Sequence, residues 1–348
     1  FRIPVVVHVL YNTGAQNLTD AIIKSNIAAL NRDFRKQNSD TVNTPERFKG
    51  LAADAEIEFV LATVDPKGRT TSGIVRKQTS VTQWRMDDKI KRSALGGSDG
   101  WDPASYLNIW VGHMQNLLGY ASSPGTAALN DGIVVSTSSW STDKAGTLQH
   151  LSRTSVHEVG HWLGLKHIWG DTYCGDDLVS DTPPQGNFTA GCPGGFRSSC
   201  NNGASGDMYM NYMDFTSDAC MNLFTQGQKQ RMRSLFHAGG PRASLLFSKG
   251  LHAPWLEETP LTEALPELPT RFNLYPNPAG SYVVADFSYN GSWLGKELQV
   301  LNAGGTVVKR ELIRSKTQNI FIGSLKPGVY FIRASNGSEN ILQKLVKL

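Results

Sequence analysis

The sequence predicts an α+β domain, a mixed twisted sheet with long helices against it and an irregular, disulfide-stapled lower part, followed by a small all-β sandwich. Three observations predict it. The first 140 or so residues alternate strand-like apolar runs with a segment of helical period. All four cysteines, Cys174, Cys192, Cys200 and Cys220, fall in one window rich in Gly, Asp, Asn and Pro, with little periodicity. From about residue 270 the pattern turns to short strand-like runs broken by Pro, Asn and Gly.

Taken in order, residues 3–10 (IPVVVHVL) read as a strand. In 19–37, Ile22, Ile23, Ile27, Leu30 and Phe34 recur at helical spacing, an amphipathic helix with a core-facing stripe. Residues 55–63, 106–111 and 132–136 read as further strands. The stretch 170–220 is a loop region that needs staples, and 225–236 reads as a closing helix. Four prolines among alternating acidic and apolar residues mark a linker over 246–269. Strands are expected at 283–287, 298–302, 306–312, 319–322, 328–334 and 341–347, which makes a sandwich. The expected division is therefore 1–245, a linker at 246–269, and 270–348.

The 348 residues are 40% hydrophobic, enough for a sizeable core, with a net charge of +4. Lys and Arg are scattered rather than clustered, which argues against a nucleic-acid partner. No apolar run reaches the roughly 18 residues of a membrane-spanning helix. The start of the chain reads as a strand rather than a signal peptide, as in a processed product. An even, clustered set of cysteines without CxxC spacing suggests two disulfides and an oxidising compartment, and three pairings are open.

The densest chemistry lies at His157-Glu158-Val159-Gly160-His161. Residues four apart share a helix face, so two imidazoles at this spacing can hold one zinc ion, with Glu158 beside them to polarise a water. Gly164 can take a left-handed conformation, end the helix and bring His167 back to the same metal. Three protein ligands leave a position open, the mark of a catalytic zinc. A purely structural zinc site in a binding protein has no need of Glu158.

The run HEVGHWLGLKH resembles the metzincin signature. With Asn211-Tyr212-Met213-Asp214-Phe215, Asp218, Cys220 and Phe224-Thr225-Gln226, it more narrowly resembles the pappalysin branch, particularly its bacterial ulilysin- and mirolysin-like enzymes. The resemblance implies a secreted zinc endopeptidase with Glu158 as general base and Met213 as the methionine of the turn beneath the metal. It implies the pairs Cys174–Cys200 and Cys192–Cys220. It also implies structural calcium, for which Asp176, Asp177 and Asp181, with the carbonyls of Val179 and Thr182, offer hard oxygen ligands. Asp218 is expected at the base of the primed-side pocket, favouring Arg or Lys there. Residues 117–121, with Gly119, Tyr120 and Ala121, resemble the upper-rim edge strand, which binds extended peptide by strand addition. One departure stands out: relatives commonly carry tyrosine where this chain has Phe215, and Tyr212 is the nearest hydroxyl in sequence.

The segments 273–278 (NLYPNP), 298–305 (LQVLNAGG) and 325–330 (LKPGVY) resemble the C-terminal sorting domain of type IX secretion. That resemblance implies export across a Gram-negative outer membrane, with release or surface attachment, and the secretion machinery as a partner. The expected partners are otherwise protein and peptide substrates, and the expected state is a monomer. The rival readings are a secreted adhesin with a structural zinc, and a non-peptide hydrolase on the same scaffold.

Overall fold

The computed structural model describes residues 1–140, 152–255 and 271–348. The chain divides into two compact units, Phe1–Glu257 and Glu258–Leu348.

The first unit is organised around β1 (Arg2–Tyr11), whose apolar run is buried on both faces, as a central parallel strand requires. Helix α1 (Asp20–Phe34) begins at Thr19, whose side chain accepts a hydrogen bond from the Ile22 amide, and it buries Ile23, Ile27, Leu30 and Phe34. After it come α2 (Glu46–Lys49), β2 (Ala52–Ala53), β3 (Glu58–Leu61), β4 (Ile74–Gln78), β5 (Leu107–Gly112), β6 (Gly119–Ala121) and β7 (Ile133–Ser136). The six-stranded sheet has the order β3-β1-β5-β7-β6, with β4 continuing the β3 edge of β1. Every pair is parallel except β6–β7. Helix α3 (Arg153–Trp162) packs on β6, β7 and α1. The core gathers Val5, Val7, Val9, Ile109, Val135, Val156, Val159 and Trp162. Strands β4 and the two-residue β2 were not anticipated from the sequence. Half-exposed Ile-Val-Arg-Lys-Gln shows little apolar alternation, and two residues carry no period.

From α3 to β8 (Phe224–Thr225) the chain is irregular and held by Cys174–Cys200 and Cys192–Cys220, the pairing that the family resemblance implied. Closing loops of 26 and 28 residues, each bridge stabilises the fold by roughly 3–4 kcal/mol in the chain-entropy account. Helix α4 (Gln226–Ser234) starts with a Thr225–Gln228 capping box. The packed unit runs past the expected boundary at 245. Leu245 is in the core, the Gly250 carbonyl accepts hydrogen bonds from Thr63 (2.9 Å) and Val64 (3.2 Å), and the Trp255 amide reaches Gly68 (3.2 Å). The rest of the expected linker, 256–269, lies outside the described residues.

The second unit is all-β. Strands β9 (Asn273–Tyr275), β10 (Tyr282–Asp286) and β13 (Thr317–Phe321) form one antiparallel sheet in the order β13-β10-β9. Strands β11 (Glu297–Asn302), β12 (Val307–Leu312), β14 (Gly328–Ser335) and β15 (Asn340–Lys347) form the other, in the order β12-β11-β14-β15. Val283, Ala285, Trp293, Leu298, Val300, Ile320, Ile332 and Leu345 fill the space between them.

Candidate active site

Helix α3 carries His157, Glu158 and His161 on one side and ends where the sequence placed its stop. Gly164 has φ of +81°, its amide donates to the His161 carbonyl, and Leu165 donates to Gly160. The reversal brings His167 back to the other two imidazoles. His161 Nε2 lies 3.1 Å from His157 Nε2 and 3.0 Å from His167 Nε2.

The tautomers follow from the other ring nitrogens. His157 Nδ1 donates to the Tyr212 carbonyl at 2.7 Å, and His161 Nδ1 to the Leu165 carbonyl at 2.9 Å. His167 Nδ1 is bonded to Asp171. Each Nε2 therefore presents a lone pair, and three lone pairs face one another with no proton between them. That arrangement is repulsive unless a cation sits among them. A tetrahedral zinc with N–Zn bonds of about 2.0–2.1 Å separates its nitrogens by about 3.3 Å, close to the observed spacing. Burial, reinforced by His161 and His167, holds His157 well below its usual pKa. Burial and then His167 lower His161 to about 4. Both are thus in the neutral, metal-binding form. Among the described residues these three histidines form the one cluster of His, Cys, Asp or Glu side chains able to share a metal ion.

Glu158 is 7% exposed, and burial pushes its carboxyl up to about 8. Strand β6 passes directly over it. A side chain at Gly119 would meet Glu158 Cγ at 2.9 Å and Oε1 at 3.1 Å. Among the described residues β6 is the free edge of the sheet. Leu118 and Ser122 bond toward β7, so by antiparallel alternation the amide and carbonyl groups of Gly119 and Ala121 face the open edge. Tyr120 turns its ring into the core, with its hydroxyl on Asp88 at 3.2 Å, and its backbone groups face β7.

Met213 is fully buried, and a side chain at Gly160 would strike its Sδ at 2.5 Å, so the methionine lies tight beneath the helix between its two histidines. Phe215 is 48% exposed and touches the rings of His157 (5.5 Å between centroids), His167 (4.7 Å) and Trp169 (4.9 Å). Tyr212 does not replace the missing hydroxyl. Its ring is buried against Phe224 and beneath Arg153, and its oxygen has no partner there.

Asp218 lines the same cleft, which encloses about 1080 Å³ along α3. Its carboxylate also accepts the Arg153 amide at 3.2 Å and so caps the N-terminus of α3, where Ser152 gives no side-chain cap. The expected calcium ligands are partly engaged elsewhere. Asp181 accepts from Thr225 Oγ1 (2.7 Å) and the Gly227 amide (2.8 Å) at the start of α4, and Asp176 accepts the Leu178 amide at 2.7 Å. Asp177 is 4% exposed, accepts Thr182 Oγ1 at 2.9 Å on both oxygens, and is pushed up to about 6 by burial. The Val179 carbonyl lies 2.7 Å from the same oxygen, so it and Asp177 share the one hydroxyl proton.

Sequence reasoning missed Asp171, the carbonyls that orient His157 and His161, and the reason for Gly119. An acidic residue four positions after His167 was the only available signal. The carbonyls have no side-chain identity to read.

Comparison with known proteins decides the family. The model described as pregnancy-associated plasma protein-A matches residues 89–237, and that of the secretion system C-terminal sorting domain matches 273–348. An extracellular metalloprotease of Verticillium alfalfae is 34% identical over 240 residues, 63% of this chain and 69% of that protein. The chain belongs to the pappalysin family of metalloproteases. Mature mirolysin of Tannerella forsythia, solved with a cleaved peptide, is 48% identical with a TM-score of 0.67, over 70% of this chain and 94% of that one. Promirolysin from the same organism gives 47% and 0.69, over 73% and 86%. This pappalysin therefore has the mirolysin-like metzincin fold, and its sorting domain and extracellular relatives place it outside the cell or on the cell surface. No described helix is long and apolar enough to cross a membrane.

Proposed function

We propose that this pappalysin is a zinc-dependent endopeptidase that cuts unfolded or extended protein segments on the N-terminal side of Arg or Lys. The observation that carries the reading is the set of three facing Nε2 lone pairs with Glu158 beside them and a free strand edge above. His157, His161 and His167 would hold the zinc, which supplies Lewis acidity and a water of lowered pKa. Glu158 takes the proton of the attacking water at its carboxylate and passes it to the leaving amine. The outward backbone groups of Gly119 and Ala121 bind the substrate main chain. Asp218 receives the basic side chain. Its carboxylate has no ion pair with the Arg153 guanidinium, so its charge stays available to the cleft. The catalytic unit spans 1–255 and acts as a monomer, and the C-terminal sandwich serves export through the type IX machinery.

Glu158→Ala tests the base. Cleavage should fall by about 10²-fold or more while zinc remains stoichiometric. Undiminished cleavage would remove Glu158 from the mechanism.

We also propose calcium at Asp177 with the carbonyls of Val179 and Thr182, without Asp176 and Asp181, which the fold does not gather with it, because a buried carboxylate that has no ion pair among the described residues gains from a hard ion. Added calcium should raise Tm in the wild type and not in Asp177→Asn. An equal rise in both would place the ion elsewhere.

A further inference from the structure

The two ends of the cleft carry opposite charge, and helix α3 fixes their separation. At the N-terminal end of α3, Asp218 sits on the Arg153 amide. At its C-terminal end the cleft is lined by Lys166 and Arg231. Arg231 is aimed by a hydrogen bond from its Nε to the Gly164 carbonyl at 2.6 Å, which ties it to the turn that returns His167 to the metal site. Its two terminal nitrogens have no hydrogen bond or ion pair among the described residues, and neither does the Lys166 ammonium, which is exposed. Asp177 makes no ion pair with Arg231. Two cations thus line the cleft with their charged ends unbonded among the described residues, Arg231 tethered through its Nε.

Ten helical residues span about 15 Å, the reach of four to five residues of extended peptide. With the metal site between the ends, a substrate whose basic side chain meets Asp218 must lay its preceding residues past Lys166 and Arg231. We propose that the cleft selects a second charge, an acidic side chain within about four residues before the scissile bond, bound by Arg231 and Lys166. The preferred segment is therefore acidic ahead of the cut and basic behind it. This rests on the peptide-groove reading above, and it adds a specificity determinant on the side opposite Asp218.

The test uses peptides that share Arg after the scissile bond and carry Glu, Gln or Lys at each of the four preceding positions. Two readouts are taken on the full chain: kcat/KM with the wild type, and affinity by fluorescence anisotropy with Glu158→Ala. At one position Glu should be favoured over Lys by about tenfold at low salt, in both readouts. The ratio should shrink at about 0.5 M salt, where exposed charges are screened. Arg231→Gln and Lys166→Gln should each reduce it. Lys166 makes no bond in the fold, so its variant keeps the test open if Arg231→Gln loosens the Gly164 turn. Equal handling of Glu and Lys at all four positions, or a preference that survives both substitutions, would overturn the proposal while leaving the protease intact. Absence of all cleavage alongside a retained anisotropy preference would instead sink the protease reading and leave this one standing.

Discussion

At the scale of the residue, Phe215 stands where the family resemblance implies a tyrosine. Phe215 lies against His157 and His167 and is half exposed to the cleft, where a tyrosine hydroxyl would stand beside the developing oxyanion. On the proposed mechanism, charge stabilisation without that donor would rest more heavily on the metal. Phe215→Tyr should therefore raise kcat by about tenfold or more with little change in KM, since a donor that acts on the transition state leaves ground-state binding alone. Unchanged kcat in peptide assays would show that the position is not used. Gly119 also leaves room for Glu158 by having no side chain. A methyl group there would press on Glu158 at under 3 Å and on the Val134 carbonyl at 2.9 Å. Gly119→Ala should thus lower kcat by about tenfold or more by moving the carboxylate, with Tm shifted only slightly; an enzyme of normal kcat would mean that the strand, not Glu158, gives way.

At the scale of elements, α3 is clamped at both ends by buried arginines. Arg153 bonds Asp33 at 3.2 Å and Asp40 at 2.6 Å, and reaches the Asp218 and Met221 carbonyls that wall the cleft. Arg242 pairs with Asp131 and reaches the Trp162 carbonyl at 3.3 Å. Removing one partner strands buried charge, which costs about 3–5 kcal/mol. Arg153→Met should lower stability by that amount in chemical denaturation and weaken selection for Arg and Lys, because the segment bearing Asp218 loses its anchor. A loss below about 1 kcal/mol would mean that Asp33 takes up a proton without penalty. The major elements were legible because each has its own pattern, such as the continuous apolar run of β1 and the stripe of α1. Strand β4 was not, because its pairing with β1 rather than its own pattern makes it a strand. The segment 246–255 looked like linker by composition, yet Gly250 fits against Tyr106 and Pro4 so closely that any side chain would collide with them, a fact no composition reveals.

At the scale of the molecule, the catalytic spacing could be read from the chain alone, because a helix and one glycine turn convert HExxHxxGxxH into geometry without help from distant residues. The cleft could not. Its roof is β6, its floor the face of α3 that carries His157, Glu158 and His161, and its ends are Asp218 and Arg231, brought together from more than a hundred residues of chain. Asp218 shows the limit well: one carboxylate lines the cleft and also caps α3, and the cap depends on a contact across 65 residues of chain. The central claim is that this assembly cuts extended protein before basic residues, with Glu158 moving the proton and Asp218 choosing the side chain. The measurement that reaches it most directly is incubation of the full chain with a mixture of unfolded proteins and mapping of every cut by mass spectrometry, in parallel with Glu158→Ala, Asp218→Ala and a zinc chelator. The account predicts cuts before Arg and Lys in the wild type, none with the chelator or Glu158→Ala, and a lost basic preference in Asp218→Ala. Cuts before apolar residues, or a basic preference that persists in Asp218→Ala, would contradict it.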